Sequence, residues 1–225
     1  MDMGSVPELI VMLTYNNHTV ENAYEIFDQC KGSRAMYWGM KEEGLDIEEM
    51  KKLFSYMKKC GKKTALEVVR YTEEECLQGA RIAAECGCDL LMGTVFFDSV
   101  NEFGKKNNLK YMPFVGNVTG RPSVLEGEAE EMIRQAKMYA DKGVYGIDLL
   151  AYRYNGNANE LIEKFVSEVK MPVCIAGSIN SFDKIDTVKL AGASAMTIGS
   201  AFFDNCFGNG FMQQIEAVYQ HLGGR

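Results

Sequence analysis

The amino-acid sequence predicts an α/β fold of the (β/α)8 barrel type, the TIM barrel, with residues 1–225 in a single domain. Short apolar runs rich in β-forming residues alternate eight times with longer amphipathic runs. Such alternation is typical of parallel strands connected by helices. An average unit of about 28 residues fits a barrel with short loops better than the alternative, a doubly wound open sheet. No linker or composition break divides the chain.

Strands are predicted where apolar runs lie between turn-forming residues. In chain order they are Leu9–Leu13, Ala35–Met40, Thr64–Val69, Leu90–Phe96, Tyr111–Val115, Gly146–Ala151, Pro172–Ala176 and Ala195–Ile198.

A helix is predicted after each strand, where apolar residues recur at helical spacing. In order, the helices run from about Thr19 to Cys30, then Ile47–Cys60, Glu73–Glu85, a short polar helix near Ser99–Lys106, Gly127–Asp141, Asn159–Val169, Phe182–Leu190 and Gly210–Leu222.

The predicted helix ends carry the residues that helix termini require. A left-handed residue is expected after the last turn, and glycine stands there four times, as Gly61, Gly87, Gly143 and Gly192. Asp46 or Thr72 can cap the next helix, and Ser123 with Glu126 has the spacing of a capping box. The long segment from Gly116 to Glu126 is predicted to be a loop and a candidate lid.

Composition restricts the partners of this chain. It has 24 Lys and Arg against 31 Asp and Glu, a formal charge of −7, and 47% hydrophobic residues. Apolar content this high excludes a disordered chain. Nucleic acids and anionic membranes bind cationic surfaces, so we expect neither as a partner. A small anion, if bound, must be held by local geometry.

The cysteine content predicts a reducing, cytoplasmic location. Seven scattered cysteines and 14 methionines do not resemble a disulfide framework. Met1–Pro7 lacks the pattern of a signal peptide, and no apolar run approaches the roughly 18 residues of a membrane span. With two histidines and one close cysteine pair, Cys86 and Cys88, we expect no metal and no cofactor.

Two glycine- and serine-containing segments predict a phosphate site. TIM barrels commonly hold a phosphate at the loops after strands seven and eight, beside a short extra helix. Here strand seven runs into Gly177 and Ser178, and strand eight into Gly199 and Ser200. Glycine lets backbone N–H groups approach oxygen, and serine adds a hydroxyl donor. The extra helix is expected to begin near Asn205–Asn209; the alternative is that these glycines only form tight turns.

The same region resembles a known group of proteins. The stretch from Gly146 to Phe203 is similar to the C-terminal half of the ribulose-phosphate-binding barrel superfamily. Three segments are most similar to N-acetylmannosamine-6-phosphate 2-epimerases, namely Ile147–Tyr154, Val173–Ile179 and Ala195–Ala201. The resemblance implies a barrel of the ribulose-phosphate-binding type, with phosphate contacts at Gly177, Ser178, Gly199 and Ser200.

The resemblance does not extend to the residues that transfer protons. The epimerases have a Lys-Arg-Asp-Tyr run after strand three, where this chain has Glu67-Val-Val-Arg70-Tyr71. They also have a glutamate beside the strand-seven glycine, which Ala176-Gly177-Ser178 lacks. No reaction of the superfamily can therefore be transferred to this chain intact.

Four residues near strand ends are candidates for catalysis: Glu67, Asp148, Lys41 and His18. Glu67 and Asp148 stand among apolar strand residues, so each is either a proton-transfer group or a structural acid. Lys41 is the only lysine near a strand C-terminus, but Glu42 and Glu43 follow it and are expected to keep it charged. His18 is either a general acid/base or a loop-capping group.

Further polar residues near strand ends are candidates for substrate binding: Asn16, Asn117, Arg121 and Arg153. Arginines here can hold a carboxylate or a second phosphate, or can simply be solvated. Tyr37, Trp38 and the pair Phe202-Phe203 are either core residues or part of a homo-oligomer interface.

These observations favour a metal-independent enzyme acting on a small phosphorylated sugar or sugar-like acid. Isomerase or epimerase chemistry is placed before lyase chemistry because no lysine is expected inside a strand. The alternatives are an aldolase or lyase that uses Lys41, a non-catalytic barrel that binds a phosphorylated metabolite, and an enzyme whose phosphate site serves a nucleotide or flavin.

Overall fold

The computed structural model describes residues 6–223, in which eight parallel strands alternate with helices. The strands are β1 (Glu8–Met12), β2 (Tyr37–Lys41), β3 (Lys63–Val68), β4 (Leu90–Gly93), β5 (Lys110–Met112), β6 (Ile147–Leu149), β7 (Val173–Ile175) and β8 (Ala195–Ile198). The helices are α1 (Ala23–Cys30), α2 (Ile47–Lys59), α3 (Glu73–Glu85), α4 (Asp98–Lys106), α5 (Ala129–Asp141), α6 (Ala158–Glu168), α7 (Phe182–Leu190), α8 (Ser200–Phe203) and α9 (Phe211–His221).

The strands form one sheet in the order β6-β7-β8-β1-β2-β3-β4-β5. Backbone hydrogen bonds join its two outer strands. The Asp148 N–H donates to the Pro113 carbonyl at 3.0 Å, and the Tyr145 and Gly146 N–H groups point at the Tyr111 carbonyl at 3.2 and 3.3 Å. The sheet therefore closes, and the predicted (β/α)8 barrel is confirmed.

Side chains alternate along each strand between the barrel interior and the layer beneath the helices. On β1, Leu9 and Val11 pack into the larger apolar cluster under the helices, while Ile10 and Met12 join a smaller cluster inside the barrel. Trp38 and Phe202 are fully buried in the outer cluster. Both therefore belong to the core of the chain itself.

Two short hairpins occupy segments that the sequence pattern predicted to be a helix start and a loop. The front hairpin pairs Thr14–Tyr15 with His18–Thr19, so α1 begins at Ala23 and not near Thr19. Its turn consists of Asn16 and Asn17, both with positive φ, at 48° and 66°. Adjacent left-handed residues suit the twist of a two-residue hairpin, and asparagine tolerates them.

The roof hairpin, residues 117–126, occupies the segment that was predicted to be a loop. Asn117–Thr119 pairs with Val124–Glu126, which places Ser123 and Glu126 outside any helix. The predicted capping box is therefore wrong, and α5 begins later, at Ala129. A short-range spacing pattern cannot distinguish a helix start from a hairpin strand.

Other helix and strand ends are mostly as predicted. Asp46 forms a capping box with Glu49 at the start of α2, and Thr72 caps α3. Strand β4 ends early because Gly93 and Thr94 both have positive φ, at 74° and 67°. The extra helix is α8, not the segment 205–209. Among residues 6–223, no helix is long and apolar enough to cross a bilayer.

Candidate active site

A cleft of about 220 Å³ opens at the C-terminal end of the barrel. Its wall combines the front hairpin, the ends of β2 and β3, the roof hairpin and the loops after β6, β7 and β8. The polar residues that line it are Thr14, Asn17, Lys41, Glu67, Ser123, Arg153, Ser178, Asn180, Thr197, Ser200 and Asp204. The site was predicted from the sequence to lie at this end of the barrel.

Lys41 and Glu67 form an ion pair inside the cleft. They are direct partners in the ladder between β2 and β3, so their side chains lie side by side. Lys41 Nζ lies 3.8 Å from Glu67 Oε2, and the side chains are only 13% and 14% exposed. Lys41 is the last residue of β2, so the expectation that no strand contains a cleft-facing lysine was wrong.

Glu42 and Glu43, which we expected from the sequence to keep Lys41 charged, form no ion pair with it among the described residues. Both carboxylates instead pair with Arg70 and Arg121. Alternation along the strand directs Lys41 inward, whereas Glu42 and Glu43, which follow it, lie on the outer rim of the barrel.

Asp148 lies inside the barrel below the cleft and is 1% exposed. Neither of its carboxylate oxygens makes a hydrogen bond within the described residues. Burial raises its pKa well above the usual range, and the nearby Glu67 carboxylate adds to this, while the Gly93 backbone N–H and Lys41 oppose it. Burial therefore favours the neutral carboxylic acid form of Asp148. Asp148 is not among the residues that line the cleft.

The loops after β7 and β8 form a donor cup made of Gly177, Ser178, Gly199 and Ser200. The backbone N–H groups of these four residues donate to no backbone acceptor in the described part of the chain. Gly177 has a φ of +93°, and an added Cβ would lie 2.9 Å from Arg153 Cγ. The loop thus requires glycine both for its conformation and for the close approach of Arg153.

Arg153 adds positive charge beside the donor cup. It follows β6 at the end of a short 3-10 turn and lines the cleft. Within residues 6–223 its guanidinium group has no carboxylate within ion-pair distance, unlike Arg70 and Arg121. A guanidinium group and several backbone N–H donors around one cleft are the arrangement that binds a phosphate. The Asp204 carboxylate, which accepts a hydrogen bond from Tyr15 at 3.1 Å, also lines the cleft.

Four predicted site residues lie away from the cleft. His18 is 61% exposed and faces Glu43 at 3.7 Å. Asn16 belongs to the hairpin turn, and the Asn117 side chain lies 3.4 Å from Glu126 on the roof hairpin. Arg121 is paired with Glu43. The structure does not bring these four side chains together with Lys41 and Glu67.

The predicted site residues leave out several residues that line the cleft, among them Thr14, Thr197 and Asp204. The Thr14 hydroxyl is buried and makes no hydrogen bond with the described residues, which leaves it available to a ligand. Thr197 could have been found from strand alternation. It lies on β8 two residues before Gly199, so its side chain faces the same side of the sheet as that position. No sequence signal pointed to Asp204.

The described residues contain no group of three or more His, Cys, Asp or Glu side chains placed to hold a metal ion. Cys86 and Cys88 are both buried and free. Their burial raises the pKa of each thiol, to about 11 for Cys86.

Comparison with known families finds a match in the C-terminal half of the chain. The model of the family described as histidine biosynthesis protein matches residues 113–218. One curated relative, from Archaeoglobus fulgidus, is 1-(5-phosphoribosyl)-5-((5-phosphoribosylamino)methylideneamino) imidazole-4-carboxamide isomerase. It is 31% identical over 131 residues, a match that covers 53% of this chain and 54% of the relative. The chain thus matches about half the length of this relative.

Solved structures agree on the fold. Orotidine 5'-phosphate decarboxylase from Pyrococcus horikoshii has a TM-score of 0.72 at 16% identity, and the match covers 96% of this chain and all of that one. The tryptophan synthase A-subunit from Pyrococcus furiosus has a TM-score of 0.68 at 11% identity, with 99% of this chain and all of that one covered. Identities this low show a shared barrel and nothing about the reaction.

Together the matches support the ribulose-phosphate-binding barrel superfamily that the sequence resemblance predicted. The finer likeness to N-acetylmannosamine-6-phosphate 2-epimerases stays a prediction. The family match includes the donor cup and Asp148 but begins after Lys41 and Glu67. The ion pair that distinguishes this cleft must therefore be interpreted from its own geometry.

Proposed function

We propose that this protein is an isomerase or epimerase of a small phosphorylated sugar or sugar-like acid. The observation that carries the proposal is that one cleft holds the Lys41–Glu67 ion pair together with the donor cup and Arg153. The cup and Arg153 would bind the phosphate. The ion pair would then face the carbon chain attached to it.

Proton transfer beside a carbonyl group is the chemistry that this ion pair supports best. Glu67 would remove the proton from the carbon next to the carbonyl, since a partly desolvated carboxylate is an effective general base. The Lys41 ammonium would donate a hydrogen bond to the carbonyl oxygen and stabilise the negative charge of the enolate. Return of the proton to the former carbonyl carbon, with the neighbouring hydroxyl proton passing to the former carbonyl oxygen, gives isomerisation. Delivery of a proton from solvent to the opposite face of the original carbon gives epimerisation. Lys41 supplies the positive charge, so these steps call for no metal ion.

The comparisons support the class of reaction but not a particular substrate. The curated relative is an isomerase whose name contains phosphoribosyl groups. Its match covers 54% of its length, and the family match does not include the Lys41–Glu67 pair. A phosphorylated sugar derivative is therefore the substrate class, and its identity must be found by screening.

Hydrogen exchange tests this proposal directly. Aldose and ketose phosphates are incubated with the protein in D2O, and proton NMR follows the signal of the hydrogen beside the carbonyl. We expect exchange of that hydrogen with at least one compound, and loss of exchange by more than a hundredfold in Glu67→Gln. Thermal-shift measurements with the same compounds should show that Glu67→Gln still binds. Binding without exchange in the wild-type protein would leave a non-catalytic phosphate-binding barrel.

A lyase that works through a Schiff base is the second candidate, because Lys41 is nearly buried at the end of a strand and faces the cleft. Such an enzyme needs a lysine amine that is free to attack, whereas the Lys41 side chain is engaged in an ion pair with Glu67 at 3.8 Å. Because of this ion pair, we favour the isomerase over the lyase. Borohydride treatment with a carbonyl phosphate, followed by mass spectrometry, distinguishes the two. A reduced adduct on Lys41 would establish the lyase.

A further inference from the structure

A compact cluster of four charges lies directly beside the cleft, on the rim formed by β2, β3 and the roof hairpin. Glu43 accepts from both arginines, with one oxygen 2.7 Å from Arg70 Nη2 and the other 2.7 Å from Arg121 Nη1. Glu42 lies within 3.5 Å of Arg70 Nε and 3.6 Å of Arg121 Nη2. Each carboxylate therefore faces two guanidinium groups.

The cluster is fixed by further hydrogen bonds. Glu42 is only 6% exposed and accepts a hydrogen bond from the Val69 N–H at 3.1 Å. Arg121 also donates to the Val69 carbonyl, which ties the roof hairpin to the end of β3. Tyr71 adds a bond to the Gly120 carbonyl at 2.8 Å. The arginines are thus held in place and are not free to bind a ligand.

This arrangement keeps Glu42 and Glu43 paired with partners other than Lys41. Lys41 is followed immediately by two glutamates, and an unpaired carboxylate so close would favour the ammonium form of the lysine. Both glutamates are instead neutralised by arginines on the outer side of the rim. Glu67 remains as the carboxylate within ion-pair distance of Lys41 among the described residues.

We propose that Arg70 and Arg121 are positioning residues of the Lys41 site: they hold Glu42 and Glu43 on the rim, so that Glu67 is the carboxylate that pairs with Lys41. The proposal about the two arginines rests on the proposed function only in one respect, namely that Lys41 takes part in catalysis. The electrostatic effect itself belongs to the folded protein and can be measured without a substrate. Arg121, expected from the sequence to bind substrate, acts through Glu43 instead.

Competitive labelling of lysines tests the proposal. The protein is treated with trace acetic anhydride over a range of pH, and mass spectrometry gives the midpoint at which Lys41 becomes reactive. The titratable and charged groups around Lys41 are Glu67 on β3, the buried Asp148 on β6, the cleft-lining Arg153 and Asp204, and the rim cluster. In Arg121→Met, Glu42 and Glu43 lose half of their cationic partners, and we expect the Lys41 midpoint to rise by about one pH unit. Labelling below the midpoint should fall about tenfold.

A second substitution provides the decisive comparison. Glu43→Gln alone leaves both arginines short of one carboxylate, so it should move the Lys41 midpoint downward. Arg121→Met combined with Glu43→Gln removes one charge of each sign and should return the midpoint to the wild-type value. Opposite shifts that cancel cannot arise from general loosening of the fold. Glu43→Gln also keeps the proposal testable if Arg121→Met does not fold.

The matched control is Arg134→Met, which removes an arginine whose guanidinium lies 2.6 Å from Glu131 on the exposed face of α5. It should leave the Lys41 midpoint unchanged. An unchanged midpoint in folded Arg121→Met, or a shift that Glu43→Gln fails to reverse, would overturn the proposal. Failure to find any substrate would count against the proposed function but would leave these shifts as they are.

Discussion

Asp148 on β6 and Cys174 on β7 are direct partners in the parallel ladder, and both side chains are enclosed inside the barrel. Burial raises the pKa of the Cys174 thiol, and the Asp148 and Glu67 carboxylates add to the effect. Burial likewise raises the pKa of Asp148. In the barrel interior beneath the cleft, burial thus favours the neutral form of both groups.

Asp148 should make the stability of the protein fall as the pH rises. Its pKa is higher in the folded than in the unfolded chain, so between these two values the folded state binds more protons, and raising the pH favours unfolding. Below about pH 4, near the pKa of the unfolded chain, the group is protonated in both states and has no effect. Asp148→Asn should remove this dependence, which can reach about 1.4 kcal/mol per pH unit. Urea unfolding of both proteins between pH 4 and 8 measures it; parallel stability curves would contradict the assignment.

Breaking the Lys41–Glu67 pair on one side should destabilise the fold. Lys41→Met leaves the Glu67 carboxylate mostly buried and without its cation, which should cost about 1–3 kcal/mol at pH 7. Adding Glu67→Gln should recover most of that loss, because no unpaired charge remains. The matched control is Lys137→Met, which removes a lysine 3.1 Å from Glu168 on the surface and should change stability by less than about 0.5 kcal/mol. The interpretation fails if the double variant is no more stable than Lys41→Met.

Gly177→Ala should weaken anion binding more than it weakens the fold. A Cβ at this position would meet Arg153 at 2.9 Å, so the change displaces both the loop and the guanidinium group. Gly192→Ala is the matched control, since Gly192 has a similar positive φ, +77°, but nothing lies within 4 Å of an added Cβ. Each variant should lose about 1 kcal/mol of stability from the left-handed conformation. Only Gly177→Ala should lower the affinity for inorganic phosphate, by about tenfold or more in calorimetry; equal affinities would exclude the donor cup as the phosphate site.

Gln214 should be needed to hold α8 in place. Its buried side chain donates to the Phe202 carbonyl at 2.7 Å and accepts from the Phe207 N–H at 3.2 Å. Gln214→Leu leaves both backbone groups without a partner, which should cost about 2–4 kcal/mol in urea unfolding. Phosphate affinity should fall as well, because Ser200 begins α8. Gln213→Leu, one residue earlier and exposed, should change neither quantity.

The eight-unit barrel and the position of its mouth were predictable because both depend on local patterns. Apolar periodicity, capping residues and left-handed glycines act within a few residues of one another, and Gly61, Gly87, Gly143 and Gly192 all adopt the expected positive φ. The donor cup could be anticipated for the same reason, since its glycines and serines follow β7 and β8 directly. The two hairpins were not predicted, because strands of two or three residues leave almost no periodic signal.

The sequence by itself determined the fold class, the end of the barrel that carries the cleft, and some of the residues that line it. Only the tertiary structure decided how the charges are paired. Lys41 pairs across the ladder with Glu67, while Glu43 reaches Arg121, which is 78 residues away in the chain. The physical reason is that a charge interacts with whatever lies within a few ångströms, and closure of the barrel brings distant segments to that distance. The same closure encloses Asp148, and burial there favours the neutral form of its carboxyl group.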